Sequence, residues 1–436
     1  MSDVEIGLTA LGVLVALIAL RVPIGIALLT VSFAGLWILM GWRVAWGSLG
    51  IIPYQFASNW VLSSVPMFLL LGFMCYHTQL TQGLFRAARL WLSAIPGGMA
   101  IAAIFGSAGF AAVSGSSVAC SAAMGRIAVP EMIKHRYHPE LATGTVAVAG
   151  TIGALIPPSI IMILYGIIAE VPITGLFLGG ISAGLLTTVG YIVVVLVRVK
   201  LNPALAPPID EKIPTWEKVA ALKETWPVIL IMIGIFGGLF GGVFTPTEAG
   251  AVGAFLSVVV AAVKRSLNWE RFRNAVTETL LTTGALIIIA VGASLLTRFL
   301  ALSGAGGYLS ELIIGMDAST TVLMLAIVVV YLLLGMFLEP IGAMLLTLPI
   351  VLPIVSEAGL SLLWFGVLLT KLLEIGMITP PIGMNVFVIK GVVRDLASTT
   401  SIFKGIFWFL VMDLAVMLFL MLYPDFILYL PENFGR

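Results

Sequence analysis

Charge is what this sequence has least of. Among its 436 residues are 22 Lys or Arg, 21 Asp or Glu and 3 His, so charged side chains make up 10% of the chain. A soluble globular domain carries about 25%. The net charge of +1 leaves no positive excess for a nucleic-acid surface. Cysteine is almost missing too. Cys75 and Cys120 both lie in apolar surroundings and supply neither a disulfide framework nor a metal cluster. His77, His135 and His138 have no metal-ligand spacing. There is no Walker A stretch and no HExxH, and Ser116 and Ser117 have no histidine partner within an apolar segment. ATP hydrolysis, metalloproteolysis and serine hydrolysis therefore find no support. The expectation is a protein that is not an enzyme, holds no cofactor and has no nucleic-acid partner.

What is abundant is apolar sequence. Sixty per cent of the residues are hydrophobic and the mean hydropathy is +1.15. Continuous apolar runs of helix length occur at 6–20, 227–241, 284–296 and 321–338. Barrel strands would instead alternate over about 10 residues. A helix needs roughly 20 residues to cross a bilayer core, so the length allows about a dozen membrane segments. The reading is an all-α polytopic membrane protein whose first partner is the lipid bilayer. The acidic start, Met1-Ser2-Asp3-Val4-Glu5, lacks the positive flank of a cleaved signal, so the first run is read as a permanent span.

One internal offset recurs. Pro23, Gly83, Pro130 and the pair Pro157-Pro158 reappear 223 residues later as Pro246, Gly306, Pro353 and Pro380-Pro381. Four landmarks at one spacing without gaps indicate two homologous halves. The first is read as 1–199, with a helical hairpin at about 97–132 and a broken helix at about 139–169. The second is read as 224–436, with a hairpin at about 318–354 and a broken helix at about 361–390. The polar, proline-rich stretch 200–223 is the cytoplasmic linker between them. Segments 44–62 and 267–283 are more amphipathic and are read as lying along the surface, with 284–302 as a separate span.

Charge then sets the orientation. With both termini on the periplasmic side, 17 of the 22 basic residues fall in the cytoplasm. Only Arg43 and Arg436 fall outside, and Arg126, Arg298 and Lys371 lie within membrane segments. The opposite orientation would violate the positive-inside rule. Matching loops differ as well: Lys134-His135-Arg136 follows the first hairpin, Glu357-Ala358-Gly359 the second. The repeats are therefore read as inverted, with re-entrant hairpins. Inverted repeats mark secondary transporters, whose site lies at the repeat interface near the midplane.

The candidate site follows from the helix breakers. Pro157-Pro158, with Gly153 nearby, should unwind an apolar span, and Pro380-Pro381 should do the same in the second copy. Unwound backbone at membrane depth lines a cavity or is buried in protein. Its freed carbonyls suit a cation and its half-helix starts an anion. The first hairpin turns at Ser114, Gly115, Ser116 and Ser117, small residues with oxygens of the kind a hard cation such as sodium prefers. Small-residue helix packing is the bland reading of the same run. The second turns near Glu339, Pro340, Ile341 and Gly342. Glu339 is either a functional intramembrane carboxylate or a cap for the helix that follows. Lys371 and Glu374, three apart on one helix, are read as neutralising each other. Arg298 either snorkels or faces a carboxylate substrate. Asp413 in the last span finds no partner by spacing.

Taken together, FTPTEAGA (244–251), SGSSVACSAAMGRIAVPEM (114–132), GTIGALIPPSIIMILYG (150–166), GMFLEPIGAMLLTLPIVLPI (335–354) and GMITPPIGMNVFVIKG (376–391) carry a resemblance. The sequence resembles the large membrane subunit of tripartite ATP-independent periplasmic (TRAP) transporters along essentially its whole length. That resemblance implies a sodium-driven importer of small organic acids (dicarboxylates, sugar acids or sialic acids) in the bacterial inner membrane. It implies an elevator mechanism, in which a transport domain holding both hairpins and both broken helices slides against a scaffold. The implied partners are a periplasmic substrate-binding protein and a small four-helix membrane subunit. Because two repeats account for the 436 residues, the small subunit is expected as a separate chain. Carried onto this sequence, one sodium site joins Ser114, Gly115, Ser116 and Ser117 to Gly153, Ile156 and Pro157. The other joins Glu339 and Gly342 to Gly376, Thr379 and Pro380. Substrate would sit near Ser116, Ser117, Pro158, Ser159, Thr379 and Pro381, with Arg298 as a candidate for its carboxylate. Cys120 departs from the small or polar residue expected there. A stand-alone sodium/anion symporter and, further off, an ion channel are the alternatives.

Overall fold

The computed structural model describes residues 1–207, 214–314 and 319–435. Part of the linker, Lys212, residue 318 and Arg436 lie outside the described residues. Every regular element among those described is helical. In the first half these are α1 (Asp3–Ala19), α2 (Ile24–Met40), α3 (Trp42–Ala57), α4 (Ser64–His77), α5 (Gln82–Leu92), α6 (Gly98–Ser114), α7 (Ser117–Lys134), α8 (Pro139–Ala149), α9 (Ile160–Ile168) and α10 (Ile173–Leu201). A short linker helix, α11 (Thr215–Lys223), follows. The second half comprises α12 (Trp226–Phe240), α13 (Pro246–Val263), α14 (Trp269–Ser303), α15 (Ala305–Ile314), α16 (Thr320–Gly335), α17 (Pro340–Glu357), α18 (Leu362–Gly376), α19 (Met384–Val393) and α20 (Thr399–Leu422). The chain ends in α21 (Pro424–Phe434).

Helix starts recur at the spacing seen in the sequence. α1 and α12 begin at Asp3 and Trp226, α5 and α15 at Gln82 and Ala305, α8 and α18 at Pro139 and Leu362, each pair 223 apart. One difference stands out in the region read as a surface helix followed by a span. It is a single helix, α14, of 35 residues. The amphipathic start and the apolar remainder meet without a proline or a cap between them, so the backbone hydrogen bonds simply continue.

Among the described residues, six helices are long and apolar enough to cross a bilayer unaided: α10, α13, α14, α17, α20, and α4 together with the short turn before it; α11 and α12, bent by 48°, would make a seventh if they form one span. The rest of the apolar sequence is divided into shorter pieces, among them α6, α16 and α19. Proline pairs and glycine turns interrupt it before any piece reaches full span length. The outer surface is rich in exposed large apolar side chains, such as Val15, Ile38, Val189, Ile233, Phe255, Val329, Leu333 and Phe407. An apolar shell of that extent faces lipid rather than water. Trp42 stacks on Trp46 and packs edge-on to Trp37 and Phe33. Such amphipathic rings are at home at a membrane–water boundary.

Besides a small cluster of Ala87, Leu90 and Ala221, the interior holds two large apolar clusters among the described residues. One joins α2, α4, α12 and α14 to α9, α17 and α18. The other joins α6, α7, α8, α10, α19 and α20. Glycines let backbones touch where elements cross. A methyl on Gly144 of α8 would meet Gly405 of α20 at 2.5 Å, and one on Gly72 of α4 would meet the Ser114 carbonyl oxygen at 2.8 Å.

Candidate functional site

The first hairpin turns in two residues. Gly115 takes the left-handed conformation at φ +62, and Ser116 is extended at φ −134. Only glycine adopts the former readily. Ser116 then caps α7, its Oγ accepting from the Ala119 N–H at 3.4 Å. Opposite this tip, α8 tightens into a 3-10 turn over Gly150–Ala154, and the chain then unwinds through Pro157 and Pro158. Ser159 restarts it as the cap of α9, accepting from the Met162 N–H at 3.3 Å. Tip and break are in direct backbone contact. A methyl on Gly153 would lie 3.1 Å from the Ser116 carbonyl oxygen, and one on Gly115 would lie 2.3 Å from the Pro158 carbonyl oxygen. The structure thus brings Ser114, Gly115, Ser116, Ser117, Gly153, Pro158 and Ser159 together, with all but Ser116 buried. Ile156 is partly buried on the same break.

The second tip is built from the same parts with one substitution. Glu339 rather than serine caps the hairpin's second helix, its Oε2 accepting from the Gly342 N–H at 2.9 Å. That is the capping alternative raised by the sequence, and the residue nevertheless opens onto the cavity described below. Gly335 ends α16 and Gly376 ends α18, and the two meet. A methyl on Gly376 would lie 2.6 Å from the Gly335 Cα and 3.1 Å from its carbonyl oxygen. Two helix C-termini, each carrying partial negative charge, converge there. Gly335 went unnoticed in the sequence; its signal was a glycine four residues before Glu339, at the end of an apolar run. Thr379 is buried, its hydroxyl donating to the Ile375 carbonyl at 2.6 Å. Pro380 and Pro381 are exposed, unlike the buried Pro157 and Pro158. Both Pro-Pro bonds are cis.

Between the tips lies a cavity of about 760 Å³. Gly115, Ser116 and Ser117 line it from the first tip, Glu339, Pro340 and Ile341 from the second, and Glu374 and Met377 from the end of α18. Leu69, Phe73 and Tyr76 of α4 and Glu278, Thr282 and Ala285 of α14 form the opposite wall. Among the described residues three carboxylates line it and no Lys or Arg does. Pro158, Ser159, Thr379 and Pro381 are not among the lining residues. Arg298 is exposed on α14, nine residues beyond the last cavity-lining position, Ile289, and does not reach the cavity.

The charges buried beside the cavity are arranged differently from the pairing read off α18. Among the described residues Lys371 forms its ion pair with Asp413 and not with Glu374. It donates to Asp413 of α20, both side chains being essentially inaccessible, and lies 5.6 Å from the Tyr191 ring centroid. The Tyr191 hydroxyl donates to the Asp413 carboxylate at 2.8 and 2.9 Å, and Thr151 Oγ1 lies 3.0 Å from the same hydroxyl. Glu374 instead accepts from the Ser117 hydroxyl at 2.6 Å, across 257 residues of sequence. Cys120 is buried with Sγ 3.5 Å from the Ser107 carbonyl and fills space behind the tip. His77 Nε2 lies 3.2 Å from a Glu278 carboxylate oxygen, and no cluster of three His, Cys, Asp or Glu suited to a metal occurs among the described residues. Glu248 completes a capping box with Thr245 at the start of α13.

An apolar shell, interrupted helices and a cavity between two hairpin tips define a multi-pass helical membrane protein. Comparison with known proteins gives its family. Residues 11–426 match the family described as tripartite ATP-independent periplasmic transporter, DctM component, and the chain belongs to that family. It is 34% identical over 348 residues to the C4-dicarboxylate TRAP transporter large permease protein DctM of Pseudomonas aeruginosa, covering 79% of this chain and 80% of that protein. It is 30% identical over 377 residues to the sialic acid TRAP transporter large permease protein SiaM of Vibrio cholerae, covering 86% and 87%. The crystal structure of the YdaH transporter of Alcanivorax borkumensis has a similar fold, with a TM-score of 0.65 at 16% identity over 88% of this chain and 89% of that one.

Proposed function

We propose that this chain is the membrane-crossing subunit of a sodium-driven importer of small organic acids, fed by a periplasmic binding protein. The observation that carries this reading is the pair of backbone crossings at the tips: Gly153 against Ser116, and Gly376 against Gly335. At each, a hairpin helix and a half-helix end against one another, and freed carbonyls with nearby hydroxyls suit a hard monovalent cation. Ser114, Ser116, Ser117, Gly153, Ile156 and Pro157 would serve one sodium ion. Gly335, Gly342, Gly376, Thr379 and Pro380, with Glu339 beside them, would serve the other. The acidic lining of the cavity supports the same reading, because an anion entering it needs cations there first. A carboxylate then fits best at the first tip, where the starts of α7 and α9 offer N–H groups capped only by neutral serines. At the second tip Glu339 already fills that role for α17.

The relatives named for C4-dicarboxylate and sialic acid support an organic-acid substrate, and the family description as one component of a tripartite system supports two partners. We take these to be a small four-helix membrane subunit and the periplasmic binding protein, which selects the acid. Matched helix starts and mismatched loop charges support two inverted repeats in the inner membrane with periplasmic termini. The cavity between the tips and a wall of α4 and α14 supports an elevator, with the hairpins and broken helices as its moving part. Two sodium ions with a monoanion would move one net charge, worth roughly 2.3 kcal/mol per 100 mV of membrane potential.

Uptake in proteoliposomes containing this chain and both partners tests the proposal. A radiolabelled C4-dicarboxylate or sialic acid should accumulate only with an inward sodium gradient and only when the binding protein is present. Accumulation without the binding protein indicates a stand-alone symporter, and unsaturable sodium-independent conductance indicates a channel.

A further inference from the structure

Glu374 is the buried carboxylate that the sodium sites leave unused. It is 1% exposed. One oxygen accepts from the Ser117 hydroxyl, and the other, Oε1, is buried with no hydrogen-bond partner. Lys371, the base nearest it in sequence, is committed to Asp413. An ionised carboxylate in such a place is costly unless a positive charge compensates it. Among the described residues no Lys or Arg lines the cavity it borders. A second oxygen is stranded in the same way: Ser114 Oγ, at the end of α6 on the first tip, is buried without a partner. Glu339 is not equivalent, because its carboxylate is occupied in capping α17.

We propose that Glu374 is the anionic ligand of the first cation site, supplied by the second half of the chain to a tip formed by the first. The ion would be a monovalent hard cation held between Glu374 Oε1, the hydroxyls of Ser114 and Ser117, and the carbonyls that meet at Gly153. Ligand charge sets how tightly such a site binds. A neutral tip would bind sodium weakly, and Glu374 supplies the missing charge. Because Glu374 lies two residues before Gly376, the two cation sites share one half-helix, and filling one fixes a wall of the other. The inference rests on the sodium reading above and adds a named anionic ligand to it.

The test is thermal unfolding of the full chain in lipid nanodiscs, with sodium chloride titrated against choline chloride at constant ionic strength. Sodium should raise the midpoint of the unaltered protein saturably. Glu374→Gln should need at least about tenfold more sodium for the same half-effect, whereas Glu374→Asp, which keeps the charge, should stay nearer the original. An unchanged sodium dependence in Glu374→Gln overturns the assignment and leaves sodium coupling intact. No response in the unaltered protein overturns both. If Glu374→Gln gives no cooperative transition, thallous ion, a heavy monovalent stand-in, is located by anomalous scattering in crystals of the unaltered protein. Density bridging Glu374 and Ser117 supports the proposal; density at the tip away from the carboxylate, or none, overturns it.

Discussion

Lys371 and Asp413 form an ion pair from which water is excluded on all sides. Such a pair gains little over an apolar replacement but becomes a liability when halved. Lys371→Met should leave the Asp413 charge held only by the Tyr191 hydroxyl and cost about 3–5 kcal/mol. Lys371→Met combined with Asp413→Leu should recover much of that loss. Thermal unfolding midpoints of the two variants in lipid check this, and a double variant no more stable than the single would contradict it. These two residues also show where side-chain pairing escapes the sequence. The three-residue spacing of Lys371 and Glu374 suggests a mutual ion pair on one helix. Their partners instead come from α20, 42 residues away, and from α7, 257 residues away. Only packing sets which helix a buried charge faces, and periodicity along one helix does not carry that information.

Helix ends were far more legible than helix faces. Adjacent prolines remove two donors and clash with the preceding turn, so the stops near Pro157 and Pro380 are written locally. The Ser-Gly-Ser-Ser run announces a tight turn for the same reason. The unbroken length of α14 was not legible, because a change from amphipathic to apolar sequence looks like a boundary although nothing there stops a helix. Gly335 was missed because its role depends on Gly376, which meets it only after folding. Gly376→Ala should therefore be severe: the added methyl has the Gly335 backbone 2.6 Å away and no flexible side chain to displace. We expect loss of sodium-stimulated uptake with the protein still inserted in the membrane. Gly284→Ala, where nothing lies within 4 Å, should be tolerated. Uptake by the two variants at matched expression separates a local from a general effect.

For the molecule as a whole, the elevator reading requires the first hairpin to move past α4. In this structure the Arg126 guanidinium of α7 lies over the Tyr76 ring of α4, 5.5 Å from its centroid. Joining Tyr76→Cys to Arg126→Cys with a short bifunctional thiol reagent should abolish uptake, and a cleavable linker should restore it on reduction. Uptake unaffected by an efficient cross-link would rule out motion at this boundary. The native thiols, Cys75 and Cys120, are fully buried and should stay unlabelled. The wall that such motion would pass along is the 35-residue α14. At 1.5 Å per residue it is roughly 52 Å long, against a hydrocarbon core of about 30 Å. It contains no proline to kink it. On the elevator reading, depth in the membrane would be marked along this one helix, graduated from Glu278 through Thr282 and Ala285 to Ile289, past which a bound acid would be carried.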